Sequence, residues 1–193
     1  MSASVFHPEA GPRSGSRFPQ PTVSIDLLTG AFSPQFMQEM AAARFSEARR
    51  HRYCAAVVCL ELDGFGRLEA AEGTTVADEV LVSTVEFLRG CLRREDMLAR
   101  FDHARFVILM MHCDGDHATS KTEALRQAIA TLEPAGCAVT VSAGVASAGG
   151  DSLPEFEQLL ASAQEALAEA LAGHGNQVRR ASRNPVQSQT PPA

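Results

Sequence analysis

The chain has 193 residues, of which 45% are hydrophobic and 21% charged, and its formal net charge is −6. This length and composition predict one soluble globular domain with tails, and the negative charge argues against a broad phosphate-binding face for DNA or RNA. No apolar run approaches the roughly 20 residues needed to span a bilayer, and residues 1–21 lack the apolar core of a secretory signal. We therefore expect a cytoplasmic protein that neither binds nucleic acid nor inserts into a membrane.

The cysteines argue against a disulfide framework. They are odd in number, form no C-x-x-C pair and lie mostly in apolar runs, at Cys54, Cys59, Cys91, Cys113 and Cys137. This usage is typical of small buried hydrophobic residues in a reducing compartment, so we expect neither disulfides nor a zinc site. The segment 112–117 combines His, Cys and Asp; we expect a polar connection there, with a metal site as the alternative.

Apolar periodicity divides the chain into a domain, expected at 23–179, and two tails, 1–22 and 180–193. The tails are rich in Pro, Ser, Arg and Gln without periodicity, which is typical of disordered segments. Between them, helical apolar spacing alternates with short apolar runs that predict strands. In chain order the predicted elements are helix 34–50, strand 53–62, helix 76–91, strands 97–101 and 105–111, helix 120–132, strand 137–148 and helix 153–172.

Local signals mark the ends and faces of these helices. Ser33 before Pro34 is typical of an N-cap followed by proline at the first helical position. The first helix is expected to bury the face that carries Phe36, Met40 and Ala43, with Met37 and Ala41 beside them. Gly173 is expected to end the last helix. The buried face of that helix is predicted to be Phe156, Leu159, Leu160, Ala163, Ala166, Leu167 and Ala170.

Two apolar runs meet at the short polar step Asp102-His103, which predicts a tight β-hairpin over 97–111. The tip of a hairpin between buried strands is a usual place for chemistry. Helices that alternate with strands around one central hairpin predict an α/β fold. We expect a central, mostly antiparallel sheet flanked by helices.

Six motifs in order over 26–178 resemble those of the GGDEF domain, the fold of diguanylate cyclases. They are D-L-L-T-G at 26–30, L-E-L-D-G-F at 60–65, Gly73 with A-D-E-V-L at 77–81, L-A-R-F at 98–101 followed by Phe106, T-V-S-A-G-V-A at 140–146, and Ala166-Leu167 through Asn176 to Val178. The resemblance implies the nucleotide-cyclase palm, a ferredoxin-like architecture, and a setting in bacterial signal transduction.

The signature hairpin departs from the family's Gly-Gly-Asp/Glu-Glu-Phe, since this chain has Asp102-His103-Ala104-Arg105-Phe106. By the resemblance, Asp102 and His103 fill the space that two glycines leave for the nucleotide. Ala104 stands where the family has a magnesium-binding carboxylate. Arg105 reverses the charge of the glutamate at the next position. The departures predict a degenerate signature.

Other positions that the resemblance assigns to the nucleotide also differ. Glu61 stands at the second metal position, and Glu69 replaces an asparagine that contacts guanine, although its partner Asp78 is present. The basic residues for the triphosphate correspond to Leu171 and Gly175. These differences predict a domain that is not an enzyme and that has no catalytic residues, metal or other cofactor.

Arg93 and Asp96 match the family's R-x-x-D motif, which lies five residues ahead of the signature and binds the product cyclic di-GMP. An Arg fork bonds bidentately to a phosphate or to guanine O6 and N7, and a carboxylate accepts from guanine N–H groups. Arg126, on the following helix, is matched across an insertion to an arginine that supports this site. The alternative is that 93–96 forms an ordinary solvated turn.

Three functional hypotheses follow. The first is a catalytically inactive GGDEF-like domain that binds cyclic di-GMP at Arg93, Asp96 and Arg126 and relays binding to a signalling protein partner. The second is a protein-interaction module without a nucleotide site, which docks through its helices or hairpin. The third, a residual GTP-binding or cyclase enzyme, is kept only because Glu61 and Asp78 remain.

Overall fold

The computed structural model describes residues 24–182. Within that range the α-helices are α1 (Pro34–His51), α2 (Phe65–Glu72), α3 (Thr74–Cys91), α4 (Gly115–Leu132) and α5 (Phe156–Ala172). The strands are β1 (Cys54–Leu62), β2 (Met97–Asp102), β3 (Arg105–Met111), β4 (Val141–Gly149) and β5 (Val178–Arg180). The predicted tail 1–22 lies wholly outside the described residues, and of the predicted tail 180–193 only residues 180–182 are described. No helix in the described range is both long and apolar enough to cross a membrane.

The strands form one sheet in the order β2-β3-β1-β4-β5. β1 pairs antiparallel with both β3 and β4, and β2 pairs antiparallel with β3, whereas β4 and β5 are parallel. The predicted apolar strand 53–62 is therefore the central strand. The expected fold class, a mostly antiparallel sheet flanked by helices, is confirmed.

The sheet separates two apolar layers. Alternate residues of β1 such as Val58 and Leu60 are fully buried with α3 and α4, whereas Val57 and Cys59 are fully buried with α1 and α5. Since a Val or Leu side chain stabilises the fold by about 1.5–3 kcal/mol when it is fully buried, both faces of β1 contribute to stability. This two-sided burial explains why β1 is a continuous apolar run.

The buried face of α1 is centred on Met37 and Ala41, which were expected only beside the buried face. The helix buries Met37, Ala41, Phe45 and Ala48, and Met40 is 37% exposed. The entry of the chain sets this rotation, because Phe32 bridges to β2 through backbone hydrogen bonds, just before the N-cap. A contact made before the helix begins is invisible to periodicity within it.

Other element boundaries also differ from the expected ones. α2 was not predicted, because Phe65 is its one buried residue and its sequence shows no apolar face. α4 begins five residues early, since the Asp114 carboxylate accepts from the backbone N–H groups of Asp116 and His117 at 3.0 and 2.9 Å. Residues 115–117 are therefore helical rather than part of a loop.

The C-terminal elements were predicted unevenly. β4 begins at Val141, four residues later than expected, and α5 begins at Phe156, three residues later. The buried face of α5 is the predicted one, and Gly173 is its C-cap. β5 was missed, and it includes Arg180, which the sequence assigns to the tail. Three residues are too few to show a strand period.

Candidate functional site

Arg93 and Asp96 lie in the turn between α3 and β2. The Asp96 carboxylate is 2% exposed, and its Oδ2 accepts from the backbone N–H of Arg93 at 2.9 Å and from Lys121 Nζ at 3.1 Å. The backbone N–H of Asp96 donates to the Arg93 carbonyl at 3.1 Å. A buried carboxylate needs both a counter-ion and hydrogen bonds, and Lys121 and the turn provide them. Asp96 therefore fixes the shape of this turn.

The Arg93 side chain is left free by the same arrangement. It is exposed, and its guanidinium makes no hydrogen bond or ion pair within residues 24–182. The Cys113 thiol lies close enough to this turn to be affected by its charges. Burial raises the pKa of the thiol, and the carboxylates of Asp114 and Asp96 raise it further. The turn thus combines an unpaired planar cation with a carboxylate held in place.

The structure does not bring Arg126 to this turn. Its Nε and Nη2 donate to Glu123 at 2.9 and 2.5 Å, and its Nη1 donates to Asn176 Oδ1 at 2.5 Å. Lys121, five positions earlier on α4, contacts Asp96 instead. Five residues turn a helix by about 140° beyond a full rotation, so the two cations point in different directions. Sequence reasoning missed Lys121, because the supporting residue was assigned by a match across an insertion and no local signal ties this lysine to a carboxylate 25 positions earlier.

The hairpin tip lines a second site, a pocket of about 270 Å³. The pocket is lined by Glu61, Leu62, Gly64, Phe65, Gly66, Asp102, His103, Ala104 and Arg105. Arg105 stands opposite Glu61 in the β1–β3 register, and its Nε and Nη2 donate to Glu61 Oε2 at 2.8 and 2.5 Å. Phe106, the last signature residue, is fully buried in the core. The charge at this edge of the pocket is neutralised within the protein.

The remaining tip residues are also held. His103 Nε2 lies 3.0 Å from Glu69 Oε2, and its ring packs edge-on against Phe65 with ring centroids 5.0 Å apart. Arg100 Nη2 donates to the His103 carbonyl at 2.7 Å, and the backbone N–H of Leu62 in β1 donates to the Ala104 carbonyl at 3.1 Å. The tip is therefore fixed to α2, β1 and β2.

The family resemblance implies magnesium at this edge of the pocket, and the residues present do not fit it. The Glu61 carboxylate is paired with Arg105, and the side chain of Ala104 has no oxygen to offer. No three His, Cys, Asp or Glu side chains of the described range are grouped so that they hold a metal ion. The same finding leaves the alternative metal site at 112–117 without support.

Asp63, at the end of β1, is a structural residue. Its carboxylate accepts from Thr140 Oγ1 at 2.7 Å, from Ser142 Oγ at 2.6 Å and from the backbone N–H of Asn176 at 2.9 Å. It joins β1, the start of β4 and the loop between α5 and β5. Asp78 lies in the second turn of α3, which begins at Thr74, two residues before the predicted start.

Comparison with known proteins gives a consistent match. Residues 23–177 match the family described as "Diguanylate cyclase, GGDEF domain". The chain is 27% identical over 148 residues, 75% of its length, to the probable diguanylate cyclase DgcC of Escherichia coli K12. The chain spans less than half the length of the first curated relatives that it matches, and 40% of DgcC.

Solved structures share the fold. The GGDEF domain of DgcB from Caulobacter crescentus, solved in complex with cyclic di-GMP, has a TM-score of 0.77 at 19% identity, covering 89% of this chain and 99% of that one. Diguanylate cyclase SiaD from Pseudomonas aeruginosa, solved with its activator SiaC, has a TM-score of 0.75 at 23% identity, covering 82% and 62%.

These comparisons overturn one expectation. The departures in the signature predict that the chain is not an enzyme, but the matched family and DgcC are both named for diguanylate cyclase. That expectation is wrong: the relatives that the chain matches are named diguanylate cyclases, and it rested on single side-chain changes in the signature, which do not by themselves decide the activity of a family member. By its match over 23–177 and by its fold, the chain belongs to the GGDEF domain family.

Proposed function

We propose that this chain is a cyclic di-GMP-binding signalling domain whose ligand site is built on Arg93 and Asp96, and that it passes the bound state on to a protein partner. The observation that carries the proposal is the exposed guanidinium of Arg93, unpaired within residues 24–182, beside a buried and fixed Asp96. By contrast, Arg100, Arg105 and Arg126 are each paired with a carboxylate.

The chemistry of the turn suits a guanine nucleotide. The Arg93 fork can bond to a phosphate or to guanine O6 and N7. Asp96 Oδ2 accepts from the backbone N–H of Arg93 and from Lys121, so the buried carboxylate holds the turn in the shape that presents the Arg93 fork to a ligand. Lys121 supports the site in place of Arg126, because it neutralises the buried Asp96 carboxylate and so leaves the charge of Arg93 uncompensated.

The similar structures support both parts of the proposal. The GGDEF domain of DgcB was solved with cyclic di-GMP, which shows that a domain of this fold accommodates the ligand. SiaD was solved with the activator SiaC, which shows that a GGDEF protein assembles with a second protein. Both likenesses concern the fold, so the ligand and the partner of this chain rest on the geometry of its own turn and surface.

Calorimetric titration with cyclic di-GMP tests the proposal. We expect saturable binding to the intact chain, weakened at least about tenfold by Arg93→Ala, because a hydrogen bond to a charged group contributes roughly 1.5–3 kcal/mol. Arg94→Ala, the neighbouring exposed arginine, is the matched control and is expected to bind as the intact chain does. The absence of heat with the intact chain, or equal loss in the two variants, would contradict the proposal.

The nucleotide-independent interaction module remains a second candidate. The observation that favours it is a cluster of exposed apolar side chains at 25–28. If the intact chain gives no heat with cyclic di-GMP and still binds a protein through that cluster, the second candidate replaces the first.

A further inference from the structure

The turn that precedes α1 exposes an unusual amount of apolar surface. Five large hydrophobic side chains are exposed among the described residues, and three of them lie in this one turn. Leu27 is 87% exposed, Ile25 44% and Leu28 38%. A contiguous exposed apolar patch marks an interaction site more often than a scattered single residue does.

The turn is rigid although it is exposed. Asp26 Oδ1 accepts from Thr29 N at 2.8 Å, from Thr29 Oγ1 at 2.6 Å and from Arg100 Nη1 at 3.3 Å. Arg89 of α3 donates to the Thr29 carbonyl at 3.5 Å and also to that of Gly30. The leucines are therefore held in place before any partner arrives, which lowers the entropic cost of binding.

A groove of about 520 Å³ lies beside the turn, lined by Leu28, Thr75, Asp78, Glu79, Val82, Ser83 and Ala135. The α3 residues among these recur at i, i+3, i+4, i+7 and i+8, so the groove follows the helix for about two turns, or about 12 Å. This shape suits a helix laid alongside α3.

The charge of the groove selects its occupant. Leu28, Val82 and Ala135 supply apolar surface, whereas the exposed carboxylates of Asp78 and Glu79 form a rim. Neither carboxylate makes a salt bridge or a side-chain hydrogen bond within residues 24–182. An apolar floor with unpaired acidic groups at its edge is complementary to leucine anchors flanked by Lys or Arg.

We propose that the turn 25–28 and this groove, together called the Leu27 surface, dock a basic amphipathic helix of a partner protein. The partner is the one to which the proposed function relays binding, so the inference rests on that function for its role. Docking itself requires no nucleotide. The Leu27 side chain is the apolar anchor, and Glu79 pairs with a basic residue of the helix.

The test uses a fluorescent synthetic helix of about 18 residues, with leucines at i, i+3, i+4 and i+7 and lysines elsewhere, titrated with the full chain and followed by anisotropy. We expect saturable binding, at least tenfold weaker with Leu27→Ser, because the main apolar contact is lost. Glu79→Lys is expected to weaken binding several-fold, and a helix with glutamates in place of the lysines is expected not to bind.

Matched controls come from the opposite side of the sheet. Met40→Ser removes another exposed apolar side chain, and Glu165→Lys reverses another exposed charge; both are expected to change the dissociation constant less than twofold. No binding of the lysine helix, or equal losses in the controls and at the Leu27 surface, overturns the proposal. A doubled mass in light scattering that Leu27→Ser abolishes overturns it in favour of a second copy of the chain.

Calorimetry separates this proposal from the proposed function. Leu27→Ser is expected to bind cyclic di-GMP as the intact chain does, since Leu27 lies outside the Arg93 turn. If cyclic di-GMP fails to bind and the helix still docks at Leu27, the proposed function fails while the docking surface stands. If the nucleotide binds and the helix does not, the docking surface alone fails.

Discussion

The turns at the two ends of β2 differ in whether their charged side chains are paired within the protein. In the hairpin tip that follows β2, Arg105 is paired with Glu61 and His103 lies against Glu69. The polar side chains of the tip therefore have their partners within the protein. In the turn that precedes β2, Asp96 is buried and fixed, whereas the guanidinium of Arg93 is exposed to solvent. A charged side chain that is already paired within the protein must break that ion pair before it can bind a ligand. The comparison therefore supports the proposed ligand site at the Arg93 turn over one at the hairpin tip.

The largest expected effect comes from Lys121→Met, which breaks the support of the Arg93 turn. It leaves the 2% exposed Asp96 carboxylate without its counter-ion, and we expect the free energy of unfolding to fall by about 3 kcal/mol. Urea unfolding measures this change. Arg126→Met on the same helix is the control and is expected to cost less than about 1 kcal/mol, since Glu123 is more exposed. Equal costs would show that Lys121 has no special role.

An intermediate effect is expected at the hairpin tip from Arg105→Met. The side chains of Arg105 and Glu61 are 36% and 26% exposed, so their ion pair contributes about 0.5–1 kcal/mol to the free energy of unfolding. Combining Arg105→Met with Glu61→Gln in a double-mutant cycle measures the coupling directly. A coupling near zero would mean that the tip is not held by this pair.

The smallest expected effect is a pH dependence at Asp26, which links the turn 25–30 to β2 through Arg100. Burial raises the pKa of Asp26, but hydrogen bonds from Thr29 and the charge of Arg100 outweigh it and lower the pKa below its usual value. A lowered folded-state pKa adds stability above the unfolded-state value, and that stability is lost as the pH falls from about 4 towards 2. In Asp26→Asn, the urea concentration at half-unfolding should decrease less between about pH 4 and pH 2 than it does in the intact chain. An equal decrease in the two proteins would contradict this assignment.

Sequence reasoning succeeded where one element carries its own signal. The run 53–62 is apolar because β1 is buried on both faces, and the face of α5 repeats at helical spacing, so both were predicted. The hairpin was predicted because the polar step Asp102-His103 interrupts two apolar runs. Arg93 and Asp96 were found through the position of their motif relative to that hairpin.

The sequence was insufficient where distant elements meet. The pairing of Arg105 with Glu61 depends on the β1–β3 register across 44 positions, and that of Lys121 with Asp96 depends on where α4 begins. Arg126 had been assigned to the turn by a match across an insertion, whereas Lys121 is the α4 residue that pairs with Asp96. The rotation of α1 likewise followed from a strand contact of Phe32 rather than from the residues of the helix.

The most direct test of the central claim is a parallel titration of cyclic di-GMP into Arg93→Ala and Arg105→Ala. Each variant removes one guanidinium from one end of β2. The account predicts binding at least about tenfold weaker in Arg93→Ala and a dissociation constant within about twofold of the intact chain in Arg105→Ala. Loss of binding in Arg105→Ala with full binding in Arg93→Ala would contradict it and move the ligand to the hairpin pocket.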